Sequence, residues 1–444
     1  MNEIIVNNAV MVGGGPGGLA PLLAACRHHL LPELLAPGFT LIERSPALGA
    51  GDLGNYVINS DSLADTFVSC IEGDTDPRLH ALLDHPATQA IIAYRGGPVP
   101  LALAGEFLFV VGQTLQEIVK TTEGGTVLAE HEAISTQMLA DGLWLTRVRN
   151  LRDNNEKKLL SRSVVLATGG SQPVERLESE IVAGAPLLPR YENKLIQSGT
   201  VLTQRGLDEV ALRLQDLPNP KVAVVGGSQS AISAAHALLY RLPSVTFQPG
   251  GITVLHRREL RVTYESAAAA QADGYLEFGP DDICPVTGRV FRLAGFRLDS
   301  RELIMRVRGI GGRPPEERLR LHRLSSPDDQ EARRILDTAD LIVAALGYRP
   351  RALPILDAQS NEMPLLADGP GLPPLVDGEC RILDANAKPL PGLFGIGLAA
   401  GFVPRGSLGG EPSFVGQANG LWLWQNDVGA MLARSVLRQA IAAA

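Results

Sequence analysis

Cysteine is scarce and scattered: the 444 residues hold four, Cys26, Cys70, Cys284 and Cys380, and no two of them form a CxxC pair. That spacing argues against a disulfide framework, a cysteine-ligated metal and a redox-active dithiol at short range, and it fits a reducing compartment. Long apolar runs are missing as well; none approaches the roughly 20 residues of a membrane span. The first apolar strand begins close to Met1 and leads straight into a glycine-rich turn, leaving no room for a secretory leader, so a soluble cytoplasmic protein is expected. An excess of positive charge is also lacking. The net charge of −8 and pI near 5.6 argue against nucleic acid or an anionic membrane as the main partner. What remains is an ordinary globular composition, 45% hydrophobic and 20% charged, in a chain long enough for two or three domains of about 100 to 200 residues each.

What is present starts with AVMVGGGPGGLA, Ala9 to Ala20, which runs from an apolar strand through Gly13, Gly15 and Gly18 into a helix-like segment. This is the dinucleotide fingerprint: the first glycine allows the turn, the second lets the backbone approach a pyrophosphate, and the third lets helix pack on strand. The N–H groups at the helix start then face the phosphates. A second apolar run, Phe39 to Ile42, ends in Glu43, whose carboxylate is placed to accept the hydroxyl hydrogens of a ribose. Its gap exceeds the usual spacing of about 20 residues, and an extra loop from His28 to Gly38, with Pro32 and Pro37, accounts for the excess.

The fingerprint returns in VAVVGGSQSA, where Gly226, Ser228, Gln229 and Ser230 open a second helix and Ser228 and Ala231 stand in the second and third glycine positions. Two such units predict an α/β protein with two Rossmann-like domains and two dinucleotides. The second unit's next strand, Ile252 to Leu255, ends not in an acid but in His256, Arg257 and Arg258. Guanidinium groups there suit a 2′-phosphate, which favours NADPH over NADH.

Between and after these units, apolar spacing predicts an amphipathic helix over Leu101 to Lys120, and turns at Asp141-Gly142 and Asp153-Asn154-Asn155 predict a small antiparallel meander. A buried strand then ends in ATGG, where Thr168 and Gly169 lie at a close approach to a cofactor or to another backbone. The charged, proline-rich stretch from Gly279 to Leu336 reads as surface hairpins and a short helix without a role. DLIVAALGYRP and LPGLFGIGLAAG, the latter with Gly397, read as a second crossing between domains and as the return to the first. A last helix is expected from Pro412 and Ser413 through Trp422 and Trp424, its positive end toward the first cofactor.

Together these motifs resemble the flavoproteins in which an NADPH domain is inserted in an FAD domain. GGSQSA followed by ALGYRP is similar to the class B, N-hydroxylating flavin monooxygenases. The resemblance implies an FAD domain over 1–215 with the meander, an NADPH domain over 216–384, and a return to the FAD domain over 385–444. It also implies that a flavin hydroperoxide passes one oxygen atom from O2 to a nucleophilic nitrogen or sulfur of a small, amine-like substrate. Gln229 would orient the nicotinamide, and Asn59 and Ser60, with Asp61, would lie nearest flavin and substrate; a local Asx-type turn explains the same residues without a site. Some departures bear on this. The His of the family's Lys-x-x-His-Ser element is replaced by Gln197, Leu398 stands where related reductases carry an aspartate, and the substrate loop does not match the ornithine and lysine hydroxylases. Basic amino acids are therefore not carried over as substrates. An NADPH-dependent reductase passing electrons to a partner or small acceptor uses the same two domains and stays open, as does assembly into a homo-oligomer.

Overall fold

The computed structural model describes residues 6–442 except Pro37, Pro370 and Leu372, so the Pro37 of the extra loop lies outside the described residues. β1 (Val6–Val12) feeds α1 (Pro16–Arg27), with Gly15 at the N-cap and Pro16 at the first helical position, where a missing N–H costs nothing. β2 (Phe39–Glu43) lies parallel to β1, Ala9 opposite Phe39 and Val12 opposite Ile42. Both strands are buried on both faces and largely apolar, with Asn7, Asn8 and Thr40 as buried polar exceptions, as fits strands covered on each side. α2 (Leu101–Thr121) covers this sheet and delivers β3 (Gly125–Ala129), which pairs with β2. By length and by a mean hydropathy of 1.2, α2 could cross a membrane, yet half of that window is buried inside the protein. Phe107, Leu108, Val111, Leu115 and Ile118 are all fully buried, so α2 is a core helix.

The meander follows as β4 (His131–Met138), β5 (Trp144–Asn150) and β6 (Glu156–Leu166). β6 serves two sheets' worth of partners: Glu156 to Ser161 pair antiparallel with β5, while Val6 to Val12 of β1 run parallel along it to Leu166. Its far end therefore leaves the parallel sheet at the cleft and carries Ala167 to Gly170 there.

The second sheet is all parallel and contains β7 (Leu195–Gln197), β8 (Val222–Val225), β9 (Ile252–His256), β10 (Leu319–Arg323) and β11 (Leu341–Ala344) in the order β7-β11-β8-β9-β10. α3 (Gln229–Tyr240) follows β8, and α4 (Leu298–Arg308) precedes β10. The insertion expected over 216–384 is thus displaced at both ends. It takes up β7 at Leu195, and after β11 the chain goes back: β12 (Ile355–Leu356) joins β4, and β13 (Arg381–Leu383) pairs with β14 (Pro389–Gly395), which lies beside β6. The strands at both ends are only two or three residues long, too short to show a period in sequence.

Two further expectations change. The stretch from Gly279 to Leu336 holds more than surface hairpins and a short helix without a role, because the helix α4 packs on α3 and β10 completes the sheet. The last helix starts at Leu421 rather than at Pro412, passes through a π-helical segment, Leu423–Val428, and continues as α5 (Gly429–Ala442) against α1. Gly416 and Gly420 disfavour helix before Leu421, and the Asn419 side chain is used elsewhere, accepting the Ala399 N–H at 3.0 Å.

Candidate functional site

The first turn shows why three glycines stand where they do. Gly13 has φ +104°, and a Cβ there would run into the Ala167 carbonyl; a Cβ on Gly18 would run into the carbonyl oxygen of Gly13. Gly15 differs: a Cβ would meet nothing nearer than the Gly51 Cα at 3.7 Å, and its open side faces the cavity. Gly13 and Gly18 are thus required by the fold, whereas Gly15 leaves a cradle at the start of α1 that a pyrophosphate fits and a side chain would fill. Gly397, φ +108°, closes the same region opposite Gly17, whose Cβ position would lie 3.0 Å from the Gly397 Cα.

Glu43 is fixed at the end of β2 by two backbone donors: the Gly14 N–H gives a 2.6 Å bond to Oε2 and the Ser45 N–H a 2.7 Å bond to Oε1. Each oxygen keeps acceptor capacity for a ribose hydroxyl. The ATGG turn is crossed by the returning chain, since the Thr168 hydroxyl donates to the Arg351 carbonyl and the Arg351 N–H donates to the Gly169 carbonyl at 2.9 Å. Thr168 therefore holds backbone, and Gly169, φ +72° with open space beside it, forms the cavity wall.

The second turn opens into the same space. Gly226, φ +140°, lies under the Ala345 carbonyl, Ser228 caps α3 without a side-chain bond, and Ser228 and Ser230 line a cavity of about 1470 Å³ shared by both domains. Gln229 also lines it. Its Nε2 donates to the Ser300 hydroxyl at 2.8 Å, and the Asn59 Nδ2 donates to the neighbouring Asp299 carboxylate at 2.9 Å. One turn of α4 thus holds both residues, one from each domain. Ser60 behaves otherwise: it is 5% exposed, its hydroxyl donates to the Ser62 carbonyl and accepts the Val99 N–H at 3.1 Å. That hydroxyl braces a hairpin, its proton committed to Ser62, while Ser60 still lines the cavity.

The two arginines after β9 also part company. Arg257 turns away from the cavity to Glu180, 2.9 Å, and the Ile181 carbonyl, 2.7 Å. Arg258 lines the cavity and donates to the Val415 carbonyl at 3.2 Å. Sequence reasoning missed Asp299 and Ser300, which sit in a stretch read as featureless, and Tyr348, a cavity residue whose phenol is pushed well above its ordinary pKa by burial and by Tyr56. No cysteine lines the cavity among the described residues, and burial pushes the Cys26 and Cys70 thiols up to about 12.

No family model matches the chain. It is similar to the CMP-5′-(3-aminopropyl)phosphonate hydroxylase of Streptomyces rubellomurinus (strain ATCC 31215), 29% identical over 446 residues that cover 96% of this chain and 97% of that protein. Among solved structures, the ornithine hydroxylase of Pseudomonas aeruginosa superposes with a TM-score of 0.55 at 14% identity, covering 98% of this chain and 100% of that one. The ornithine N-hydroxylase of Kutzneria sp. 744, solved with reduced FAD, NADP⁺ and L-ornithine, gives 0.53 at 14% identity over 98% and 99% of the two chains. The L-lysine 6-monooxygenase of Pseudomonas syringae gives 0.54 at 14% over 98% and 99%. The chain has the fold of the flavin-dependent N-hydroxylating monooxygenases.

Proposed function

We propose that the protein is an FAD- and NADPH-dependent monooxygenase that hydroxylates a primary amine carried on a phosphonate or on its nucleotide ester. The balanced reaction consumes the amine, O2, NADPH and one proton and yields the hydroxylamine, NADP⁺ and water. The observation that carries this reading is one cavity fed by both dinucleotide turns and lined by no thiol. Bound FAD supplies the redox and oxygen-activating chemistry.

The chain's own groups bind, orient and enclose. The N–H groups at the start of α1 take the pyrophosphate at Gly15, and Glu43 takes the adenosine ribose. Arg258 faces the 2′-phosphate of NADPH, and Ser228 and Ser230 flank its pyrophosphate at the start of α3. Gln229, held by Ser300, presents an amide to the nicotinamide carboxamide, and the Asn59–Asp299 bond closes the seam between domains at that point. Closing the seam excludes water from the reacting nitrogen. The phosphonate-borne amine is drawn from the 29% identical relative, and ornithine and lysine are not proposed, since the likeness to their hydroxylases is one of fold. Cytoplasmic residence agrees with four buried, unlinked cysteines.

The test is oxygen and NADPH consumption by the yellow protein over a panel of 3-aminopropylphosphonate, its cytidylyl ester, ornithine, lysine and butylamine. A rate raised by a phosphonate amine with hydroxylamine formed supports the reading. Oxidation of NADPH that needs a dye or protein acceptor and ignores every amine would replace it with the reductase.

A further inference from the structure

The loop between Phe402 and Ala418 is explained by neither turn. Its base is closed where the Ala418 N–H donates to the Phe402 carbonyl at 2.9 Å, and beyond that base the chain crosses to the inserted domain. There the Leu408 carbonyl accepts from Arg292 at 2.8 Å, and the Ser413 N–H donates to the Asp281 carbonyl at 2.9 Å. The carboxylate of Glu411, 3% exposed, accepts the Leu293 and Ala294 N–H groups, the shortest bond being 2.7 Å. The loop is thus seated on both domains, and from it Val403, Arg405, Phe414 and Gln417 reach the cavity.

Three exposed arginines that line the cavity, Arg44, Arg351 and Arg405, have no carboxylate within 4.0 Å and no side-chain hydrogen bond among the described residues, and of these only Arg405 stands on the loop that bridges the two domains. A planar, permanently charged fork held at a cavity wall by an anchored loop suits a phosphonate or phosphate oxygen pair. The other anions of the reaction have places of their own: the FAD pyrophosphate at Gly15, and the 2′-phosphate beside Arg258, which meets the loop from the opposite side at Val415. Arg44 follows Glu43 at the end of β2 and Arg351 crosses the ATGG turn, both on the side given to FAD, which leaves Arg405 on the bridging loop for the substrate's anion.

We infer that Arg405 binds the phosphonate or phosphate group of the substrate and so selects anionic amines over neutral ones. This rests on the hydroxylation reading above, and the test separates the two. KM values are measured for 3-aminopropylphosphonate, its cytidylyl ester, butylamine and NADPH in the wild type, Arg405→Ala and Arg405→Lys; calorimetry measures 3-aminopropylphosphonate binding to the oxidised, NADP⁺-loaded holoenzyme. Loss of a charge-assisted pair should raise KM and Kd for the anionic amines about tenfold to a hundredfold in Arg405→Ala, with partial recovery in Arg405→Lys. FAD content, the KM for NADPH and turnover of butylamine should stay unchanged. Arg405-dependent binding without any amine turnover would keep the inference and remove the hydroxylase reading. Equal losses for phosphonate and butylamine, a rise in KM confined to NADPH, or unchanged phosphonate binding would overturn the inference.

Discussion

The two dinucleotide turns follow one plan and differ in how tightly it is drawn. In the first, the third position is Gly18, packed so closely that a Cβ would strike the Gly13 carbonyl; in the second, the same position is Ala231, whose methyl is accommodated and fully buried. The first strand's end is an acid anchored to the turn itself through the Gly14 N–H, while the second ends in His256 and the mobile-length side chains of Arg257 and Arg258. A tight turn locked to the carboxylate at the end of its second strand suits a coenzyme that stays. A looser turn with cationic reach suits one that enters and leaves with each turnover.

The sharpest way to break this comparison is substitution at the first turn. Gly15→Val should leave the fold intact, because its Cβ has 3.7 Å to the nearest protein atom, yet lose nearly all bound FAD by absorbance; Gly18→Val should lose the fold as well. Ala231→Gly, the reciprocal change in the second turn, should cost only about 1 kcal/mol of stability and keep NADPH binding. Full FAD retention by Gly15→Val would show the cradle to be wrongly assigned.

Arg258→Ala should weaken NADPH about tenfold and leave NADH nearly untouched, the loss of one charge-assisted bond. Arg257→Ala should do much less, because that guanidinium is engaged with Glu180 and Ile181. Equal losses for both coenzymes in Arg258→Ala would remove the 2′-phosphate role.

Gln229→Ala should shift NADPH consumption from hydroxylamine toward hydrogen peroxide by a few-fold, as the nicotinamide loses its partner and the seam admits water. Peroxide yield and product yield per NADPH measure this together. Unchanged coupling would mean that the bond to Ser300 serves only to pack α3 on α4.

The smallest effect is confined to acid. Glu316, in the inserted domain, is held down to about 2 by the hydrogen bond from Arg318, with further donation from Tyr240. Its folded pKa lies below the unfolded value of about 4.5, so its contribution is full above pH 4.5 and is lost as pH falls toward 2, on the order of 3 kcal/mol. Denaturation of the wild type and Glu316→Gln across that range should show the variant less sensitive to acid, with no difference in FAD content at neutral pH.

The glycine turns, the place of Glu43 at the end of β2 and the two sheets were legible because each rests on a local pattern: apolar strand, fixed turn spacing, helix. The amphipathic period of Leu101 to Thr121 was legible for the same reason. What escaped was set by tertiary contact. Nothing in the charged run around Asp299 and Ser300 announces that α4 would meet Asn59 and Gln229, and the bracing role of the Ser60 hydroxyl is visible only once Val99 lies beside it. The boundary at β7 was hidden in three residues that form a strand only by pairing with β11. Similarly, Arg257 and Arg258 are neighbours of identical chemistry, and only contacts far away in sequence, Glu180 and Ile181 for one and Val415 for the other, separate their surroundings.

The central claim is that one cavity brings both coenzymes and an anionic amine together for oxygen transfer. It is tested most directly by single turnover of the NADPH-reduced protein with 3-aminopropylphosphonate or its cytidylyl ester under isotopically labelled O2, with product analysed by mass spectrometry. The account predicts a hydroxylamine carrying one labelled oxygen atom, formed close to one per NADPH consumed. Flavin reoxidation that yields only labelled hydrogen peroxide, with the amine unchanged under every condition, would contradict it.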